Sequence, residues 1–277
     1  MLYARVDQRR RQGAQMSLRG RLLAVAAVVA LVVVGVVVWL VIPDGSRNSS
    51  TGPAASTVTG AAVKQVLLDG AELTKLLDEP FEEAPGSPVY GGFDEMDGSS
   101  PPGDCIGVVD VAPQNVYQSA SVQTYARETW AVAEPGHSNS KPLTSKVMFV
   151  KEAVVTLPSA ADAQALFTKF SEQWKRCDGQ AVNQGLPTRD ADSPPHLPGT
   201  EMHITDVRVT DTVLAASVVL DKNPKAPDTR AIGVQGNCLV GVLIAFTGIE
   251  NASGSGDPTS SSIDAVQAMM DKINKLS

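Results

Sequence analysis

The chain has 277 residues, three cysteines and a formal net charge of −7 at pH 7. A net acidic chain argues against nucleic-acid binding and against electrostatic adhesion to an anionic membrane, since both need a basic surface. An odd cysteine count leaves one thiol unpaired in a monomer.

Residues 1–21 form a short basic tail, with Arg5, Arg9, Arg10, Arg11, Arg19 and Arg21 set against Asp7. Residues 22–42, LLAVAAVVALVVVGVVVWLVI, carry no charge. As a helix they reach about 31 Å, the thickness of a bilayer core. With Trp39 near the far interface, the run reads as one N-terminal transmembrane helix. The arginines place the tail in the cytoplasm and everything after Pro43 outside. The apolar run is longer than a signal-peptide core and no lipid-attachment cysteine follows it, so an uncleaved, single-pass anchor in the cell membrane is expected. The small-residue run GPAAS at 52–56 lies well past the span. Met16 is an alternative start that leaves Arg19 and Arg21 to orient the helix.

Residues 43–58 are rich in Ser, Thr, Gly and Pro and read as a flexible linker. Residues 59–277 form the extracytoplasmic part, long enough for one domain with a real core, or for two small lobes. Residues 59–79 read as two helical pieces, one with Val63, Val66, Leu67 and Leu68 on a side, the next with Leu73, Leu76 and Leu77. Asp69-Gly70 breaks them. Residues 78–104 are full of Pro, Gly and acids and read as a long loop, mobile or serving as a lid. Strand-like runs follow at 105–112 (CIGVVDVA), 121–132 (SVQTYARETWAV) and 146–158 (KVMFVKEAVVTLP).

The clearest helix spans 159–177. Ser159 suits its N-cap, Asp162 its first turn, Lys175 and Arg176 its last turn, and Gly179 the left-handed position beyond. Ala163, Leu166, Phe167, Phe170 and Trp174 make one buried stripe. Two hairpins follow. Residues 203–221 turn near Thr210-Asp211, and residues 229–248 turn at Gln235-Gly236-Asn237. Residues 239–246 are apolar on both faces, which predicts a central strand covered on both sides. A last helix follows Ser260, with Ile263, Val266, Met270, Ile273 and Leu276 on one side. The sum is an α+β fold, an antiparallel sheet packed with helices.

An oxidising exterior favours a disulfide. Cys238 falls inside the central strand, where a thiol is an ordinary core group. Cys105 and Cys177 lie at element ends, so the pairing Cys105–Cys177 is expected, with Cys177–Cys238 as the alternative.

Little in the chain carries catalytic chemistry. Its histidines are His137, His196 and His203, the first two in loop-like surroundings. No G-x-S-x-G elbow occurs, and SGSGD at 253–257 reads as a loop. The acids Asp94, Glu95 and Asp97 are dense but lack the spacing of a calcium loop. No enzyme activity, cofactor or metal is expected. The sequons at Asn48 and Asn251 matter only in a host that glycosylates asparagine. One strand face carries Gln123, Tyr125 and Arg127 together. Lining a cleft, these three are the candidate contacts for a polar ligand.

The order of features resembles a known family. LLDGAELTKLL, the cysteine of CIGVVDVAP, Tyr117, the strand and W-x-x-C helix of VTLPSAADAQALFTKFSEQWKRCDG, and RAIGVQGNCLVGV together are similar to the PknH-like extracellular sensor domains of mycobacteria, over roughly 60–277. The resemblance implies a single α+β domain with a cleft proposed to bind an unknown ligand. It also implies a disulfide from the first cysteine to that of W-x-x-C. This chain departs from the kinase-linked pattern in lacking the cysteines for a second bridge and in having no kinase, so another protein would carry any signal. The reading is a membrane-anchored extracytoplasmic ligand-binding or sensor-like domain. The ligand is a small molecule, lipid or envelope component, and a protein partner is the other candidate. The alternatives are an envelope protein docking on a partner or wall polymer, and a carrier of envelope lipid.

Overall fold

The computed structural model describes residues 57–98, 103–133, 144–186, 197–220 and 223–276. The basic tail, the transmembrane helix, nearly all of the linker, His137 and His196 therefore lie outside the described residues. Among the described residues no helix is long and apolar enough to cross a membrane.

Nine strands of the described chain form one sheet: β1 (Phe81–Glu83), β2 (Val89–Gly91), β3 (Thr124–Val132), β4 (Val147–Thr156), β5 (Ala181–Leu186), β6 (Leu197–Val209), β7 (Val213–Leu220), β8 (Asn223–Gln235) and β9 (Cys238–Phe246). Their order is β1-β3-β4-β9-β8-β7-β6-β5, with β2 also on β3. Every pairing is antiparallel. Both expected hairpins form, β6–β7 around Thr210–Thr212 and β8–β9 around Gly236-Asn237.

β9 sits mid-sheet with all nine residues buried. Alternate side chains serve two separate cores, Leu239, Leu243 and Ala245 on one face and Val240, Val242, Ile244 and Phe246 on the other. A strand covered twice has no polar side to alternate with, which is why its sequence is apolar throughout.

Helices close both faces. On the first lies α3 (Ala160–Cys177), with Ala163, Leu166, Phe167, Phe170 and Trp174 all buried. Ser159 Oγ accepts from Asp162 N at 3.1 Å, the expected cap. Each such large side chain contributes about 2–3 kcal/mol of burial. On the second face lie α1 (Gly70–Leu77) and α4 (Ser261–Lys275). Asp69 caps α1 with Glu72 in a reciprocal box, so the dipeptide that interrupts the apolar run also starts the next helix. Of the expected α4 stripe, Val266, Met270 and Ile273 are buried with Ala265 and Met269, whereas Leu276 is exposed. Gly233 lets α4 approach, since a Cβ there would lie 2.5 Å from Val266 and Met270 atoms.

Two expectations are corrected. Residues 105–112 are not a strand: α2 (Ile106–Val109) is one helical turn, buried on every residue. A short apolar run enclosed on all sides carries no period to separate the two forms. The described part of 78–104 is not a structureless loop either. β1 and β2 add to the same edge of β3 as one interrupted strand, Glu83 opposite Trp130 and Val89 opposite Arg127. Ser87 Oγ accepts from Thr129 N at 2.8 Å across the gap.

The chain enters the domain through a buried clasp. Asn237, in the β8–β9 turn, accepts from Val58 N at 2.9 Å and donates to Val58 O at 3.0 Å and Leu157 O at 2.9 Å. Asn237→Ala is expected to cost about 2 kcal/mol, because it leaves buried backbone groups unpaired. Urea unfolding measures this. A loss under about 0.5 kcal/mol would mean that the entry segment finds other partners.

Candidate functional site

On the first face, residues 103–117 cross the sheet as a strap. Cys105 and Cys177 are joined, with Cα atoms 5.6 Å apart, which staples the start of the strap to the end of α3. Cys238 is free and buried, and burial pushes its thiol up to about 12. The strap's far end returns to the segment before it, where Gln114 N donates to Asp97 O at 2.9 Å and Gln114 Nε2 to Phe93 O at 3.1 Å.

Of the three ligand-contact candidates, Tyr125 and Arg127 alternate on the face of β3 that carries the first core, and Gln123 does not belong to the strand. Arg127 Nη1 is paired with Asp97 at 3.2 Å, half-buried at the strand edge. Tyr125 is fully buried, and its hydroxyl has no hydrogen-bond partner among the described residues. Burial raises its pKa further from the neutral range, so it stays a neutral phenol. Gln123 lies just before the strand, exposed, with Nε2 3.4 Å from Ser121 O. Of the dense acids, Asp97 is bound to Arg127, and Asp94 and Glu95 are exposed. Among the described residues no three His, Cys, Asp or Glu side chains gather as a metal cluster.

The polar centre under the strap is a residue that sequence reasoning passed over. Arg230 of β8 is 1 % exposed. Its Nε donates to Asp110 O at 3.2 Å, and Nη1 donates to Val242 O at 3.0 Å and to Ala231 O. The guanidinium lies 5.8 Å from the Trp174 ring centroid, within cation–π range. Gly241 on β9 makes the room, since a Cβ there would lie 3.1 Å from both Nη atoms. Desolvation lowers the Arg230 pKa to about 10, which leaves it charged at neutral pH. Asp110, the nearest carboxylate of the strap, bonds instead to Lys151 Nζ at 2.7 Å and to Val111 N at 2.7 Å.

A crevice runs down to this arginine between α3 and the strap, walled by Pro113, Val116, Tyr117, Phe170, Trp174 and Ile232. Its empty space is about 190 Å³ with the open mouth included, and it encloses no water-sized chamber. Tyr117 packs edge-on against Phe170, centroids 5.4 Å apart. The available signal was an arginine at the start of the apolar run Ala231–Val234, with W-x-x-C upstream.

Comparison with known proteins follows from this geometry. The family described as PknH-like extracellular domain matches residues 58–272. The crystal structure of the extracellular domain of PknH from Mycobacterium tuberculosis superposes with a TM-score of 0.60 at 21 % identity. The match covers 79 % of this chain and 98 % of that one. No curated protein matches.

Proposed function

We propose, from the premise that this chain belongs to the PknH-like extracellular domain family, that it is a membrane-anchored, extracytoplasmic ligand-binding or sensor-like domain without catalytic activity of its own. The observation that carries the reading is the crevice beneath the strap, where a charged arginine lies at the foot of an aromatic wall. Ligand sites combine an apolar wall with a few placed polar groups, and this crevice has that make-up. The tail and span at 1–42 supply the anchor in this reading, with the domain outside and the N-terminus in the cytoplasm.

The docking alternative needs a contiguous apolar patch. Among the described residues the exposed large apolar side chains are Tyr90, Met148, Ile249 and Leu276, each from a different segment. The crevice encloses no water-sized chamber, so any ligand, a lipid included, needs its wall to move.

Native mass spectrometry of residues 58–277, secreted from an envelope-bearing host, tests the proposal. Extra mass that leaves on activation is the expected result and identifies the ligand. A bare mass from such a host, repeated after incubation with envelope extract, would favour docking on a protein or polymer.

A further inference from the structure

The ligand-binding reading leaves the chemistry of the ligand open, and the charges around the crevice narrow it. Arg230 and Lys151 are two cations on this face, and Asp110 is the carboxylate between them. Asp110 makes its side-chain ion pair with Lys151, bonds to Arg230 through its backbone carbonyl, and its carboxylate also attracts the guanidinium. Asp97 is paired with Arg127, further along the sheet. The hydrogen bonds of Arg230 among the described residues therefore all run to backbone oxygens, and the carboxylate that attracts it is shared with Lys151. A buried charge is normally matched by an opposite one, because neutral dipoles replace lost hydration incompletely.

Two donors remain available at the crevice. The bonds that Arg230 makes use Nε and Nη1, and Nη2 has no acceptor among the described residues. The Tyr117 hydroxyl also bonds to none of them, and its pKa is pushed up to about 12 by burial, so it remains a donor. Both groups line the crevice beside the Trp174 and Phe170 rings.

We propose that this crevice receives the anionic oxygen group of a ligand whose body is flat and apolar, with Arg230 Nη2 and the Tyr117 hydroxyl as its donors and Trp174 as its stacking wall. The proposal rests on the ligand-binding reading above. A carboxylate and a phosphate share the chemistry it requires. The half-buried Val116 is the most exposed side chain of the wall and must turn outward for a ligand to seat.

The test uses the full chain, solubilised in neutral detergent and labelled with ¹⁵N. Benzoate, phenyl phosphate and benzamide are titrated separately, and the Trp174 indole and Arg230 Nε–H signals are followed. The Trp130 indole, bonded to Glu152 on the opposite face, is the internal control. Benzoate or phenyl phosphate should move the Trp174 and Arg230 signals and bind about tenfold more tightly than benzamide, the advantage of a charge-assisted contact. The stronger of the two anions tells carboxylate from phosphate. Tyr117→Phe keeps the ring and its contact with Phe170, and should weaken anion binding several-fold and benzamide binding less, since the neutral carbonyl is the weaker acceptor. Equal binding of all three probes, or no response at Trp174, overturns the proposal. Silent probes together with a neutral ligand found by native mass spectrometry overturn it and leave the ligand-binding reading standing. Silent probes with a bare mass overturn both.

Discussion

Replacing Cys105 and Cys177 together by alanine is expected to lower the unfolding free energy by about 4 kcal/mol. The two cysteines are 72 residues apart in sequence. Opening a loop of that length returns roughly this much chain entropy to the unfolded state. The loss should not be spread evenly. The disulfide staples the strap to α3, and α2 contributes just three side chains, Ile106, Val108 and Val109, to the core beneath it. Amides of residues 106–117 should therefore lose hydrogen-exchange protection before those of β4 and β9, whose pairing does not depend on the bridge. Denaturant unfolding gives the total, and exchange gives its location. Cys238→Ala is the control for simple loss of a thiol, since Cys238 is buried and unbridged. A double variant within 1 kcal/mol of the parent would show that packing alone holds the strap.

Legibility in the sequence followed period and length. The helix at 160–177 was readable because a stripe, a cap and a basic end agree over eighteen residues. The two hairpins were readable because each turn interrupts long alternating or apolar runs. The short elements were not. β1 and β2 have three residues each and owe their extended form to pairing with β3, a tertiary contact that no local pattern announces. β5 (Ala181–Leu186) was passed over for the same reason, an edge strand defined by its pairing with β6.

The site divides along the same line. Alternation placed Tyr125 and Arg127 on one face of β3, and that much was legible. What covers the face was not, because Asp97 reaches Arg127 from thirty residues away. Arg230 and Glu152 are the harder cases. Each lies in a strand that carries other charges, Lys151 beside Glu152 and Lys225 and Asp228 before Arg230, so composition alone does not tell the buried charge from the exposed ones. Their roles depend on Gly241 and Trp174 in one case and on Leu68 and Trp130 in the other, contacts between distant parts of the chain.

Glu152 carries the second large effect: the domain should be most stable in mild acid and lose stability as the pH rises toward 8. Glu152 lies on the second face of β4, fully buried. Its two oxygens accept from Leu68 N at 3.1 Å each, and Oε1 also accepts from Trp130 Nε1 at 3.3 Å. Among the described residues no cation bonds to it. Lys272, the nearest helpful charge, gives its protons to Glu72 and to Leu67 O, both at 2.6 Å. Glu128 adds repulsion. Desolvation outweighs the two N–H donors and raises the Glu152 pKa from 4.5 to about 8. A carboxyl whose folded value is raised binds its proton more tightly in the fold than in the unfolded chain. Its contribution is complete below the unfolded value and disappears as the pH passes the folded one. Asp228, raised to about 6 by burial, acts in the same direction over a lower range. The expected loss between pH 5 and pH 8.5 is on the order of 3–5 kcal/mol. Glu152→Gln separates this group from the others. The amide still offers an oxygen to Leu68 N–H but cannot ionise, so its stability curve should be flatter. It should cross the parental curve and lie above it at pH 8.5. Parallel curves would mean that Leu68 and Trp130 hold Glu152 charged throughout, and the buried carboxyl would then be no source of the pH dependence.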